Sequence, residues 1–245
     1  AAINMVLGAS AAGARAMTSS SGPGMSLKQE GISYLVADEL PAVIVNVVRG
    51  GPGMGSIAGA QSDYFQATRG GGHGDYRTVV LAPSSVQELT EIVPLAFDLA
   101  DRYRNPVVIL ADGILGQMME PLIFPECEDK PYERPWAATG HENKRAPNVI
   151  NSLYLNPEEL ERKILDRFAR YADIERDEPR WEEYHTEDAD ILLIAYGASS
   201  RVARSAVMEA RKKGVRVGML RPVTLWPFPR KRIMELAGKA SAVLV

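Results

Sequence analysis

Ala42-Val43-Ile44-Val45-Asn46-Val47-Val48 is β-branched and almost wholly apolar, and it stops at Arg49. A continuous apolar run, rather than an alternating one, predicts a central strand of a parallel sheet covered on both faces. Working outward from it, Pro41 ends a helical pattern that starts near Met25 and runs to Leu40. Before that helix stand the turn Ser20-Ser21-Gly22-Pro23-Gly24, a short strand signal from Arg15 to Ser19, and an Ala-rich helical stretch from Ala1 to Ala14. After Arg49 the chain is Gly-rich to Gly59. An aromatic-bearing helical stretch, Ser62 to Thr68, separates this loop from a second one, Gly70-Gly71-Gly72-His73-Gly74-Asp75. Thr78 to Ala82 then reads as a strand, Ser84 as the cap of an amphipathic helix to about Arg104, and Val107 to Ala111 as another apolar strand. Strands alternating with helices make the whole stretch α/β with a parallel sheet.

The pattern breaks near Pro121, where Pro125, Pro131, Pro135 and Pro147 interrupt a polar segment without hydrophobic period. A charged helix from Pro157 to about Ala172 leads into an acidic stretch, Asp173 to Asp188. The α/β order resumes with a strand Ile191 to Ala195, a helix Ser199 to Lys213 stopped by Gly214, a strand Val215 to Leu220, and a helix near Lys231 to Gly238. The expected division is a first unit over 1–120, a linker with its charged helix over 121–187, and a smaller α/β unit over 188–245. Both ends read as cut. The chain opens in a helix without a capping side chain and closes on Ala240-Ser241-Ala242-Val243-Leu244-Val245, which reads as a buried strand stopped midway.

Composition narrows the chemistry. The 245 residues are 46% hydrophobic and 24% charged, a globular balance. The single Cys127 and the scattered His73, His141 and His185 write no zinc site and no four-thiolate cluster, so no metal is expected on this chain. A net charge of −3 argues against nucleic acid as the main partner. No apolar run approaches the ~18 residues of a membrane-spanning helix, so no membrane attachment is expected and the cytoplasm is the default location. The glycine loops fail the usual phosphate templates: Gly50 to Ser56 has no Lys before its Ser, and Gly51, Gly53 and Gly55 are too closely spaced for a dinucleotide fingerprint. Gly197-Ala198-Ser199-Ser200-Arg201 lacks the second Gly of a nucleophile elbow.

A turn of the form Ser-Gly-Pro-Gly between strand and helix, behind an Ala/Gly-rich helix, resembles the pyrimidine-binding domain of thiamine diphosphate enzymes. Asn4-Met5-Val6-Leu7-Gly8-Ala9, Gln29-Glu30-Gly31-Ile32-Ser33-Tyr34 and Arg49-Gly50-Gly51-Pro52-Gly53 narrow the likeness to the α subunit of 2-oxoacid:ferredoxin oxidoreductases. Gln61-Ser62-Asp63-Tyr64-Phe65-Gln66 and Gly70 to Arg77 are most similar to the branched-chain type, 3-methyl-2-oxobutanoate (2-ketoisovalerate) ferredoxin oxidoreductase. Asp188 to Leu220 with Arg221-Pro222-Val223-Thr224-Leu225-Trp226-Pro227-Phe228-Pro229 resembles the family's second domain, which is like the transketolase C-terminal domain.

The resemblance implies oxidative decarboxylation of a branched-chain 2-oxoacid to an acyl-CoA, with electrons passed to ferredoxin. A 2-oxoglutarate- or pyruvate-specific relative and a non-catalytic assembly subunit are the alternatives. It implies thiamine diphosphate, whose pyrimidine half would lie on this chain, and coenzyme A as co-substrate. A β subunit would bind the diphosphate and Mg2+, and iron–sulfur clusters would sit on partner subunits, including a ferredoxin-like one. The family's Glu that touches the pyrimidine and its Tyr-Pro-Ile-Thr-Pro segment would fall before Ala1. Carried over by motif, Arg49 would bind the substrate carboxylate, the alternative being an exposed Arg paired with a surface acid. Ser20, Ser21, Gly22 and Gly24 would lie against the pyrimidine, the alternative being a plain tight turn. His73 and Asp75 would line the site or a subunit contact, or form a structural hydrogen-bonded pair. Cys127 reads as a free thiol of the linker.

Overall fold

The computed structural model describes residues 1–126 and 132–245; Cys127 lies outside the described residues. The apolar run becomes strand β2 (Val43–Val48), flanked in parallel by β1 (Met17–Ser20) and β4 (Val107–Asp112). Being paired on both edges and covered on both faces, β2 buries Val43 and Ile44 completely, which explains its unbroken hydrophobicity. Strand β3 (Val79–Leu81) pairs parallel to β4, and the sheet is completed by β8 (Thr224–Trp226), which runs antiparallel to β3. The order is β1-β2-β4-β3-β8.

Four helices serve this sheet: α1 (Ala2–Ala11), α2 (Pro23–Ala37), the short α3 (Tyr64–Arg69) and α4 (Val86–Tyr103). Pro23 occupies the first turn of α2, where its missing N–H costs nothing. The cap of α4 is Ser85 rather than the expected Ser84: Ser85 Oγ accepts from Glu88 N, and Glu88 Oε2 reaches back to accept from Ser84 N at 2.7 Å. This reciprocal arrangement satisfies two helix-start donors at once, with Ser84 supplying the N–H that Glu88 claims.

Beyond a single 3-10 turn at Leu115–Gln117, the described residues up to Asn156 form neither helix nor strand. Helix α5 (Pro157–Asp177) begins at Asn156, whose Oδ1 accepts from Glu158 N and Glu159 N. It is five residues longer than the spacing predicts and packs on the first unit through Tyr171 and Ile174. Within the stretch read as merely acidic, Trp181–Tyr184 forms β5. It pairs antiparallel with β7 (Val217–Pro222) in a second sheet of order β5-β7-β6-β9, where β6 is Ile191–Ile194 and β9 is Ala242–Leu244. Helices α6 (Gly197–Lys212) and α7 (Arg230–Ala237) complete this unit. The closing run forms a strand as expected but is not buried. It lies at the outer edge beside β6, with Val243 40% and Leu244 60% exposed.

The two units are tied by charge as well as by β8. Arg221, at the end of β7, is 2% exposed and meets Glu88 at 2.6 Å and Glu182 at 2.9 Å, while Nη1 donates to Ala82 O. Glu178, equally buried, accepts from Tyr103 OH at 2.8 Å and pairs with Arg102 and Arg180. Against these anchored elements the connecting segment presents Met119, Phe124, Val149 and Leu155 largely to solvent. We therefore expect limited proteolysis to cut first around Met119–Phe124 or Val149–Leu155. Initial cleavage inside β4 or β6 would contradict this division into two units.

Candidate active site

The carboxyl ends of β1, β2 and β4 lie side by side, the place where open parallel sheets gather ligands. At the end of β1 the chain turns through Ser21 and Gly22 into α2. Gly22 has φ +50° and ψ −123°, a conformation that a side chain would strain. Two glycines here leave room that the protein itself fills. A methyl carbon on Gly24 would collide with Ser20 Oγ, and one on Gly22 would stand 2.9 Å from Arg49 Nη2, 3.1 Å from Cζ and 3.2 Å from Nε. The side-chain space missing at Gly22 and Gly24 is thus filled by Arg49 and Ser20. Ser21 Oγ, in contrast, is buried without a hydrogen-bond partner among the described residues.

Arg49 follows β2 and opens a loop that closes on itself. Gly50 N donates to Ala58 O at 2.9 Å, Ser56 N to Gly50 O at 2.8 Å, and Arg49 bridges Gly59. Inside the loop Arg49 Nη1 donates to Met54 O and Ser56 O. The backbone carbonyls fix the guanidinium against Gly22, and among the described residues no acid pairs with it. Its Nε and Nη2 make no hydrogen bond to the described residues.

His73 and Asp75 are placed elsewhere. The second glycine loop is packed on α2, not free: methyl groups at Gly71 and Gly72 would strike the side chains of Gln29 and Ser33. Buried Tyr76 pins it, its OH accepting from Gly72 N at 3.1 Å and donating to Gln29 Oε1 at 3.3 Å. His73 and Asp75 project from this loop into solvent. They form no hydrogen-bonded pair with each other, and neither reaches Arg49 or the Ser20–Gly24 turn.

Three further groups stand at this end of the sheet. Asn46, the lone polar residue of β2, is 1% exposed and in register with Ser20; its Nδ2 donates to Asp63 Oδ2 at 2.9 Å and its Oδ1 has no partner among the described residues. Its polarity inside an apolar run was the signal to notice. Asp112, the last residue of β4, accepts from Ala198 N and from Gln61 Nε2 at 3.3 Å, and burial pushes its carboxyl above the usual range. Gln61 also donates to Tyr196 O at 3.0 Å and accepts from Ser199 Oγ at 3.2 Å. The start of α6 therefore seats on the first unit, and Gly197, at φ +58°, has no room for a side chain against Asp112. The Tyr196 ring stands 5.9 Å from that of Tyr64, and burial pushes its phenol well up.

The family model for pyruvate flavodoxin/ferredoxin oxidoreductase, thiamine diphosphate-binding, matches residues 1–188, and that for pyruvate:ferredoxin oxidoreductase core domain II matches residues 189–245. The chain belongs to the 2-oxoacid:ferredoxin oxidoreductases, as an α-type subunit. Among members of that family, the ketoisovalerate oxidoreductase subunit VorB of Methanothermobacter marburgensis is 58% identical over 239 residues, covering 97% of this chain and 67% of the relative. The 2-oxoglutarate synthase subunit KorA of Archaeoglobus fulgidus is 39% identical over 262 residues, covering all of this chain and 71% of the relative. The solved 2-oxoglutarate:ferredoxin oxidoreductase from Magnetococcus marinus, with 2-oxoglutarate, coenzyme A and succinyl-CoA bound, superposes with a TM-score of 0.82 at 27% identity. It covers 98% of this oxidoreductase chain, which spans about half, 47%, of that structure's chain. The thiamine diphosphate-binding module of the family thus includes β1, β2 and β4 with the Ser20–Gly24 turn and Arg49.

Proposed function

We propose that this chain is the α subunit of an assembled enzyme that oxidatively decarboxylates a branched-chain 2-oxoacid to its acyl-CoA, passing the electrons to ferredoxin. The carrying observation is the meeting of Arg49 with the Gly22 turn at the sheet's carboxyl end. Arg49 holds its Nη1 on loop carbonyls and keeps Nε and Nη2 free, the two parallel donors that fit a carboxylate edge. That fork grips the oxoacid carboxylate and orients the neighbouring carbonyl. The Ser20–Gly24 turn borders the pyrimidine of thiamine diphosphate, and the unpartnered Ser21 Oγ suits a polar atom of that ring. Thiamine diphosphate supplies the electron sink for loss of carbon dioxide. His73 and Asp75 serve a subunit contact in this reading, being solvent-facing and apart from Arg49.

Two observations favour a branched aliphatic substrate over 2-oxoglutarate. The stretch Gly50 to Ser62 carries no charged residue to hold a second carboxylate, and its Met54 and Ile57 side chains are 80% and 85% exposed beside Arg49. Identity to the ketoisovalerate subunit also exceeds that to the 2-oxoglutarate subunit by a wide margin. The partners in this reading are a β subunit that binds the diphosphate and Mg2+ and a ferredoxin-like subunit or ferredoxin that receives electrons through iron–sulfur clusters. Among the described residues no helix is long and apolar enough to cross a membrane. The cytoplasm is the location this reading proposes for the assembly.

The test compares the isolated chain with the reconstituted assembly. Alone, the chain should neither turn over oxoacids nor bind thiamine diphosphate tightly, because it offers only the pyrimidine side of the site. With its partners it should favour 3-methyl-2-oxobutanoate over pyruvate and 2-oxoglutarate in kcat/KM. Submicromolar cofactor affinity of the isolated chain, measured by calorimetry, would refute the divided site; a preference for 2-oxoglutarate would refute the substrate reading.

A further inference from the structure

We propose that Gln61 and Asp112 are positioning residues through which the second α/β unit sets the loop that aims Arg49. The inference rests on the reading of Arg49 as the carboxylate-binding residue. Asp112 stands in register with Val48, the residue immediately before Arg49, and its carboxylate accepts from Ala198 N at the start of α6. The next residue, Gly113, donates its N–H to Val48 O at 2.8 Å, and a methyl group there would be 3.2 Å from Gly59 Cα. Ile114 then fills the missing side-chain space of Gly59, which itself bridges Arg49. A contact path therefore runs from α6 through Asp112, Gly113 and Ile114 to the base of the Arg49 loop.

Gln61 forms a second path over the same gap. It follows Gly59 and Ala60 in sequence, and its side-chain amide bonds at the docking seam to Tyr196 O, Asp112 Oδ2 and Ser199 Oγ. A side chain serving only the first unit would not need two partners at the start of α6. Two routes converging on Gly59 give the second unit a mechanical hold on Arg49 without any contact between α6 and Arg49 itself. At the same seam Gly197 lets α6 approach closely, since a side chain there would strike Asp112.

The assembled enzyme tests this by a double-mutant cycle in the KM for 3-methyl-2-oxobutanoate. Gln61→Met keeps length and removes the amide; it should raise KM about 5- to 30-fold, the effect of one or two net hydrogen bonds, with kcat changed less. In an Arg49→Ala background the same substitution should change KM by no more than about twofold, since there is no arginine left to aim. Ser199→Ala, an exposed change on the other unit that leaves the core intact, should raise KM in the same direction by a smaller factor. A full Gln61→Met effect on top of Arg49→Ala would overturn the positioning role while leaving the Arg49 reading standing. An unchanged KM in Arg49→Ala would remove the Arg49 reading and this inference with it. If Gln61→Met does not assemble, an unchanged KM in Ser199→Ala overturns the proposal.

Discussion

Arg221→Ala should destabilise the chain by about 3–5 kcal/mol, the range found when one member of a buried ion pair is removed. Arg221 is 2% exposed, so deletion leaves a cavity as well as lost hydrogen bonds to Glu88, Glu182 and Ala82 O. Glu88 keeps its hold on Ser84 N and so continues to cap α4. The damage therefore falls on the seam between the units: β7, which carries Arg221, leads directly into β8, the strand that completes the first sheet. Arg221→Met, which refills most of the volume without the charge, should recover much of the loss, because the desolvation of the guanidinium is avoided. Denaturant unfolding of the two variants measures both values. A loss below about 1 kcal/mol in the Ala variant would show that the two units hold together without this residue.

The first sheet was legible because its strands are buried and parallel. β2 and β4 declare themselves as unbroken apolar runs, and Pro157 and Gly214 punctuate the helices as their chemistry requires. β5 was not legible, since Trp181-Glu182-Glu183-Tyr184 lies on an outer edge where its glutamates pair with arginines instead of turning inward. β8 is three residues bracketed by Pro222 and Pro227, and its pairing with β3 joins residues more than a hundred positions apart. Its strand character comes from that partner.

At the site, residue type pointed to Arg49 and to the turn, while their contact did not follow from sequence. Nothing local in Gly22 shows that its missing side chain makes room for a guanidinium 27 positions later. The glycine-rich run Gly70 to Gly74 illustrates the converse error. A run of glycines suggests a free loop, but Gly71 and Gly72 are small because α2 lies against them, and this packing leaves His73 and Asp75 facing solvent. Asp112 falls one residue beyond the strand expected at Val107 to Ala111, and nothing local marks it, because its partners Ala198 and Gln61 lie 86 and 51 positions away.

Arg49→Ala should lower kcat/KM of the assembled enzyme by about 10- to 150-fold, the value of one hydrogen-bonded contact to a charged group, and by more if both free donors engage the carboxylate. Arg49→Lys should recover only part, because an ammonium keeps the charge and loses the parallel pair of donors. Thiamine diphosphate affinity should barely move in either variant, since the guanidinium is assigned to the substrate. Gly22→Ala supplies the complementary arm. Its methyl group meets Arg49 Nη2 at 2.9 Å in a backbone conformation that already disfavours a side chain, so the guanidinium must shift away from the turn. That variant should lose kcat/KM, and little further should be lost when Arg49→Ala is added, because both changes remove the same aimed cation. Near-normal kcat/KM in Arg49→Ala would eliminate the assignment. Lost cofactor binding with an intact fold would instead move Arg49 to the cofactor or to a subunit contact.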